Sequence, residues 1–145
     1  MLYVGAEPSP AHIASRLGAG TGEPVFARRK LMFANDIPVR IATSYFPLAL
    51  AEDTPLAAPD FVEGGLQVAL EAMGRRFGRA VEALTARMPS PEEADTLQLE
   101  ADAPVVQVIR SSYDVHDEPI HTLETICAAN RHVFYVRHAE NNDVF

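Results

Sequence analysis

The sequence predicts an α+β fold in which two similar half-units join into one antiparallel sheet with helices packed on it. Three observations carry this. The chain repeats itself: "EPSP" (Glu7 to Pro10) returns as "MPSP" (Met88 to Pro91), with an offset of 81 between Ser9 and Ser90. The echo continues, because "EPVFARRKLMF" (Glu23 to Phe33) parallels "APVVQVIRSSY" (Ala103 to Tyr113) and "NDIPVRIATSY" (Asn35 to Tyr45) parallels "HDEPIHTLETI" (His116 to Ile126). In both copies two alternating apolar and polar runs flank a short polar step, "ND" or "HDE", which is a hairpin signal. Between the copies, Leu66, Ala69, Leu70 and Met73 recur at the spacing of an amphipathic helix.

The elements follow in order. An edge strand is predicted over Leu2 to Ala6. A short helix follows, with Ser9 as its cap and Pro10 at its first position, where a missing N–H is harmless. The first hairpin comes next. The segment "PLALAEDTPLAAPD" carries three prolines and is predicted to be a surface connection. The amphipathic helix stops near Gly74. A second edge strand is predicted over Ala80 to Arg87, then a helix capped by Ser90, with Pro91 at its start and Glu92 and Glu93 at its positive end. After the second hairpin, "NRHVFYV" reads as a turn and a closing strand with Phe134 in the core. Residues 138–145 read as a polar tail that frays.

A chain of 145 residues, 48% hydrophobic and 22% charged, suits one folded domain. Its net charge of −8 opposes binding to a polyanion, so DNA binding by this chain itself is not expected. No apolar run is long enough to span a bilayer, and no signal segment is recognisable, which excludes a membrane role and points to the cytoplasm. Cys127 is the single cysteine, so no internal disulfide can form.

Strand alternation sorts the candidate binding residues by face. Phe26, Arg28, Lys30 and Met32 share one face of the first hairpin, and Arg40, Ala42 and Ser44 share one face of the returning strand, with Thr43 and Tyr45 on the reverse. In the second hairpin, Val106, Val108, Arg110 and Ser112 alternate with Val105, Gln107 and Ile109. On its returning strand His121, Leu123, Thr125 and Cys127 alternate with Thr122, Glu124 and Ile126. A cation half-sunk in a sheet needs an anion, either a protein carboxylate or a ligand. Arg28, Lys30, Arg40, Thr43, Ser44, Arg110, Ser112, His121 and Glu124 are therefore the ligand-binding candidates, with the place where the halves meet as the natural seat.

No catalytic residue, metal site or cofactor is expected. "DVHDEPIH" crosses a turn, so its histidines and acids diverge, and Cys127 has no identifiable base and orienter.

At "NDIPVRIATSYFP", "GGLQVALEAMG", "ARMPSPEEADTLQL" and "VIRSSYDVHDEPIHTLETICAANRHVF" the order and spacing of motifs resemble the UTRA domain. This is the effector-binding domain of GntR-type bacterial transcription regulators of the HutC/FarR branch. The resemblance spans about Val4 to Val136. It implies a chorismate-lyase-like fold for residues 1–137, homodimerisation, and a small-molecule effector pocket, with DNA bound only through a separate N-terminal winged helix-turn-helix. The first loop and helix of the family domain then fall before Met1. In sugar-phosphate-binding members two arginines on the first hairpin grip the anion. Those positions match Lys30 and Met32, with Arg28 a possible substitute. A pocket acid matches Ala42, a second-half cation matches Arg110, and a late acid and aromatic match His121 and Cys127. These departures speak against an amino-sugar phosphate and leave another small anion or polar metabolite open. A lyase-like enzyme of the same fold and a purely structural dimerisation module are the alternatives.

Overall fold

The computed structural model describes residues 1–138. Its strands are β1 (Tyr3–Pro8), β2 (Pro24–Ala34), β3 (Ile37–Pro47), β4 (Phe77–Arg87), β5 (Val105–Asp114) and β6 (Pro119–Ala128). The helices are α1 (Ala11–Leu17), α2 (Leu48–Ala51), α3 (Leu66–Ala72) and α4 (Pro91–Leu97), with single 3-10 turns at Pro55–Ala57 and Ala129–Arg131. All strand pairs are antiparallel, in the order β1-β2-β3-β6-β5-β4. The two half-units are therefore β1-β2-β3 and β4-β5-β6, sewn together where β3 pairs with β6, as the repeat predicts.

Turn chemistry fixes each hairpin. Asn35 and Asp36 take φ of 50° and 65°, the left-handed pair that a two-residue hairpin loop demands and that Asn and Asp tolerate. In the second hairpin the Asp114 carboxylate accepts the backbone N–H groups of His116 at 2.8 Å and Glu118 at 3.0 Å. The acids of "DVHDE" thus act in part to hold a turn.

The two helix starts differ more than their sequences. The Ser90 side chain accepts from the Glu93 N–H, and the Glu93 carboxylate accepts from the Ser90 N–H, forming a capping box. Ser9 caps nothing: α1 begins after Pro10, which is extended, and the Ser9 hydroxyl turns to the Pro10 carbonyl at 3.3 Å. The expected Ser9 cap is therefore corrected. The first copy has Ala11, His12 and Ile13 where the second has an acid able to reciprocate. Ser90→Ala should cost about 1 kcal/mol and Ser9→Ala much less than that, as read by urea unfolding of the two variants side by side.

Side-chain alternation gives the sheet two different coats. On one face Ile13 and Leu17 of α1 pack on Val25, Ala27 and Tyr45, and Leu97 of α4 packs on Ile41, Val105 and Ile126. On the other, the chain from Leu48 to Met73 folds over β2 and β3, where Leu56 and Leu70 close against Phe26 and Phe46. The proline-rich segment expected to run over the surface is instead part of a core, since Leu56 and Ala51 are fully buried. Its helical turns satisfy backbone groups that burial would otherwise orphan.

Three further expectations change. β4 begins at Phe77, earlier than Ala80. Residues 132–138 form no strand, and Phe134 is 42% exposed, so the expected closing strand and its core phenylalanine are not found among the described residues. Arg131 instead ties this segment down by donating to the carbonyls of Pro38, Leu97 and Gln98. The predicted tail, from residue 139 onward, lies outside the described residues.

Candidate functional site

A cavity of about 570 Å³ opens on the face covered by the Leu48–Met73 segment. Its floor is β2 and β3, which contribute Arg28, Lys30, Leu31, Ala42 and Ser44. Strand pairing explains the grouping, because Arg28 lies opposite Ser44 and Lys30 opposite Ala42 on the same pleat. Asp60, Phe61 and Val62 form a wall, Gly65 and Leu66 another, and Met1 reaches the rim.

Arg28 is the central group. It is only 6% exposed, and it donates to the carbonyls of Leu56 at 2.7 Å, Ala58 at 2.5 Å and Asp60 at 3.4 Å. Among the described residues no carboxylate oxygen lies within 4.0 Å of it, in contrast to Arg29, Arg75, Arg79, Arg87 and Arg110, each of which has one. Burial without a counter-charge lowers the pKa of the Arg28 guanidinium. The side chain thus pins the wall of the cavity while leaving its positive charge uncompensated. Lys30, two residues along, is exposed and has no carboxylate within ion-pair distance among the described residues.

The other candidates lie elsewhere. Arg40 shares the face but sits at the far end of β3, where its Nε donates to the Met32 sulfur at 3.1 Å. Arg110 is separated from Arg28 by β3 and β6, its side chain is 51% exposed, and it pairs with Glu82 at 3.1 Å. The expectation that it is half-sunk is corrected: β5 pairs there with the edge strand β4, whereas the Leu48–Met73 segment packs on β2 and β3. Ser112 is buried opposite His121.

Thr43 and Glu124 face the opposite side of the sheet. Thr43 accepts from Arg29 Nε at 3.1 Å. Glu124 pairs with His12 at 2.6 Å and accepts from Gln107 at 2.9 Å. Glu124 lines a smaller concavity between α1 and α4, where Arg87 pairs with Glu93 and His12 with Glu124, and with Thr43 it lines another beside α4. The expected seat at the junction of the halves is therefore not where Arg28, Lys30 and Ser44 come together. They meet within the first half.

His121 stacks on Phe46, ring centroids 4.9 Å apart, and its buried Nε2 has no hydrogen-bond partner among the described residues. Desolvation, with a smaller push from Arg110, lowers its pKa to about 4. The folded state then keeps His121 neutral where the unfolded chain, titrating near 6.5, takes up a proton. Stability is lost as pH falls through that window. Between pH 7 and pH 5 the protein should lose about 2 kcal/mol more than a His121→Gln variant, measured by denaturant unfolding at both pH values. Cys127 is buried, and burial pushes its thiol up. That makes it a poor nucleophile.

Sequence reasoning missed Asp60, Phe61, Val62 and Leu66 as cavity walls. The apolar pair Phe61-Val62 just before Gly64-Gly65 was the available signal, since an exposed connection rarely needs it. Gly64 and Gly65 take φ of 77° and 93°, which reverses the chain into α3 and brings that wall back over the strands.

A six-stranded antiparallel sheet built of two halves, with a walled cavity and a buried guanidinium that has no carboxylate partner among the described residues, defines an α+β domain with a candidate ligand site. The family model described as "UTRA domain" matches residues 1–133, and the chain belongs to that family. An uncharacterised HTH-type transcriptional regulator of Streptomyces coelicolor is 34% identical over 109 residues, covering 72% of this chain and 40% of the relative. The HTH-type transcriptional repressor PhnF of Mycolicibacterium smegmatis is 27% identical over 134 residues, covering 91% of this chain and 54% of the relative. The chain thus spans about half the length of these relatives or less. The crystal structure of the effector domain of PhnF from Mycobacterium smegmatis superposes with a TM-score of 0.74 at 24% identity, over 95% of this chain and 85% of that one. This agrees with the predicted fold, chorismate-lyase-like and antiparallel. No helix among the described residues is long and apolar enough to cross a membrane.

Proposed function

We propose that this chain is the effector-sensing and dimerisation domain of a GntR-type transcription regulator, and that the cavity on β2 and β3 binds the effector. The observation that carries the reading is Arg28: a guanidinium buried in a cavity wall with no carboxylate partner among the described residues invites an anionic guest. Lys30 adds charge at the mouth and Ser44 a hydroxyl on the floor. DNA is bound by a separate winged helix-turn-helix domain, in keeping with the net charge of −8. Effector binding shifts the population of one arrangement of the paired domains only by as much as it binds that arrangement better. The setting is the cytoplasm, where the single thiol stays reduced.

An enzyme of the same fold has less support. His121 is held neutral in the core, and Cys127 is a buried thiol whose pKa burial raises. A dimerisation module without a ligand is opposed by a cavity that side chains have not filled.

Thermal melting across a panel of small metabolic anions tests the proposal. At least one should raise the melting temperature in a saturable way, and Lys30→Gln should reduce that rise. An unchanged melting curve across the panel would count against sensing by this cavity.

A further inference from the structure

We infer that the ligand of this cavity is a small organic monoanion with an apolar body, such as a carboxylate on a hydrocarbon frame, rather than a dianion or a polyhydroxylated molecule. The inference rests on the reading of the cavity as the effector site. Charge is the first argument. Among the described residues the charged side chains lining the cavity are Arg28, Lys30 and Asp60, two positive and one negative, for a net side-chain charge of +1. Three N–H groups of Arg28 are already spent on the carbonyls of Leu56, Ala58 and Asp60. Those that remain match one carboxylate edge, and the ring of carbonyl oxygens repels a second negative charge.

The walls supply the second argument. Leu31, Ala42, Val62 and Leu66 offer no polar atom beyond their backbone, and among the described residues Ser44 is the one side-chain hydroxyl lining the cavity. A sugar ring placed here would find side-chain partners at Arg28, Lys30, Ser44 and Asp60, and its remaining hydroxyls would face Leu31, Ala42, Val62 and Leu66 at a real cost. Phe61 completes the case. It lines the cavity yet is 76% exposed, so an apolar guest would cover surface that now faces water. Along β2, buried Arg28 and exposed Lys30 define an inner and an outer cationic point on one pleat, and the hydrocarbon body lies across to Phe61 and Leu66.

The test is calorimetric titration of this chain with acetate, butanoate and hexanoate, set against inorganic phosphate and glucose 6-phosphate. Affinity should rise about fourfold for each added methylene from butanoate to hexanoate. Phe61→Ser, at an exposed position that leaves the fold intact, should weaken hexanoate binding and leave acetate unchanged. Lys30→Gln should weaken every carboxylate about fivefold. Tighter binding of glucose 6-phosphate than of hexanoate, still sensitive to Lys30→Gln, overturns the ligand class while leaving the cavity as the effector site. No binding by any of these compounds, or binding indifferent to Lys30→Gln, removes the cavity reading and this inference with it.

Discussion

Replacing Phe46 with alanine should lower the unfolding free energy by about 4 kcal/mol, the largest effect of any single truncation considered for this protein. Phe46 has no exposed surface, and it joins three parts that are distant in sequence. It packs with Phe26 from the neighbouring strand, with Leu56 and Leu70 from the covering segment, and with the His121 ring from the other half-unit. Alanine would leave a void that the antiparallel frame cannot close, since β3 is held on both sides by β2 and β6. The same void would admit water to His121 and relieve the desolvation that holds its pKa low. Urea unfolding at pH 7 and pH 5 checks both points. A large loss of stability should coincide with a shrunken pH dependence, and a variant that kept the full acid sensitivity would show that Phe46 is not what dries the imidazole.

Arg28→Met should cost about 3 kcal/mol, although it removes a charge and adds an apolar side chain of similar length. The reason lies in what is left behind: the carbonyls of Leu56, Ala58 and Asp60 lose the donors that turn them inward. Arg28→Lys should recover only part of the loss, because one compact ammonium cannot reach three carbonyls as a planar fork does. Limited proteolysis gives a second readout. Cleavage between Leu56 and Phe61 should accelerate in both variants, and more in the methionine one. Unchanged protection there would mean that Leu56 and Val62 hold the wall by packing alone.

The two variants show why the core could be read further in advance than the site. Val25, Ile41, Val105 and Ile126 announce themselves by alternation, because a pleated strand sends every second side chain to the same face. The cavity depends on Asp60 and Phe61, whose positions follow from no local period, and on Leu66, which the helical spacing assigns to α3 without placing it over the strands. Asp60 ends the proline-rich stretch that looked like a connection and became part of a core, and Phe61 follows it directly. Arg110 shows the converse error. By alternation it is the equivalent of a pocket cation, but it lies open beside Glu82, while the Leu48–Met73 segment packs on the first half-unit. Ser9 fails in a similar way, since an N-cap needs a donor turned toward it, and the residues after Pro10 do not turn one.

The sequence by itself determined the duplicated hairpins, the antiparallel pairing and the assignment of each strand residue to a face, because turn residues and a period of two act over a few neighbours. It also determined membership of the family, through the collinear order of its motifs. Only the tertiary structure decided which face of which half is roofed. That depends on where the chain from Leu48 to Met73 settles, and on Arg28 reaching across to three of its carbonyls. Those contacts join residues some thirty positions apart, and their strength comes from excluding water, which no local pattern records.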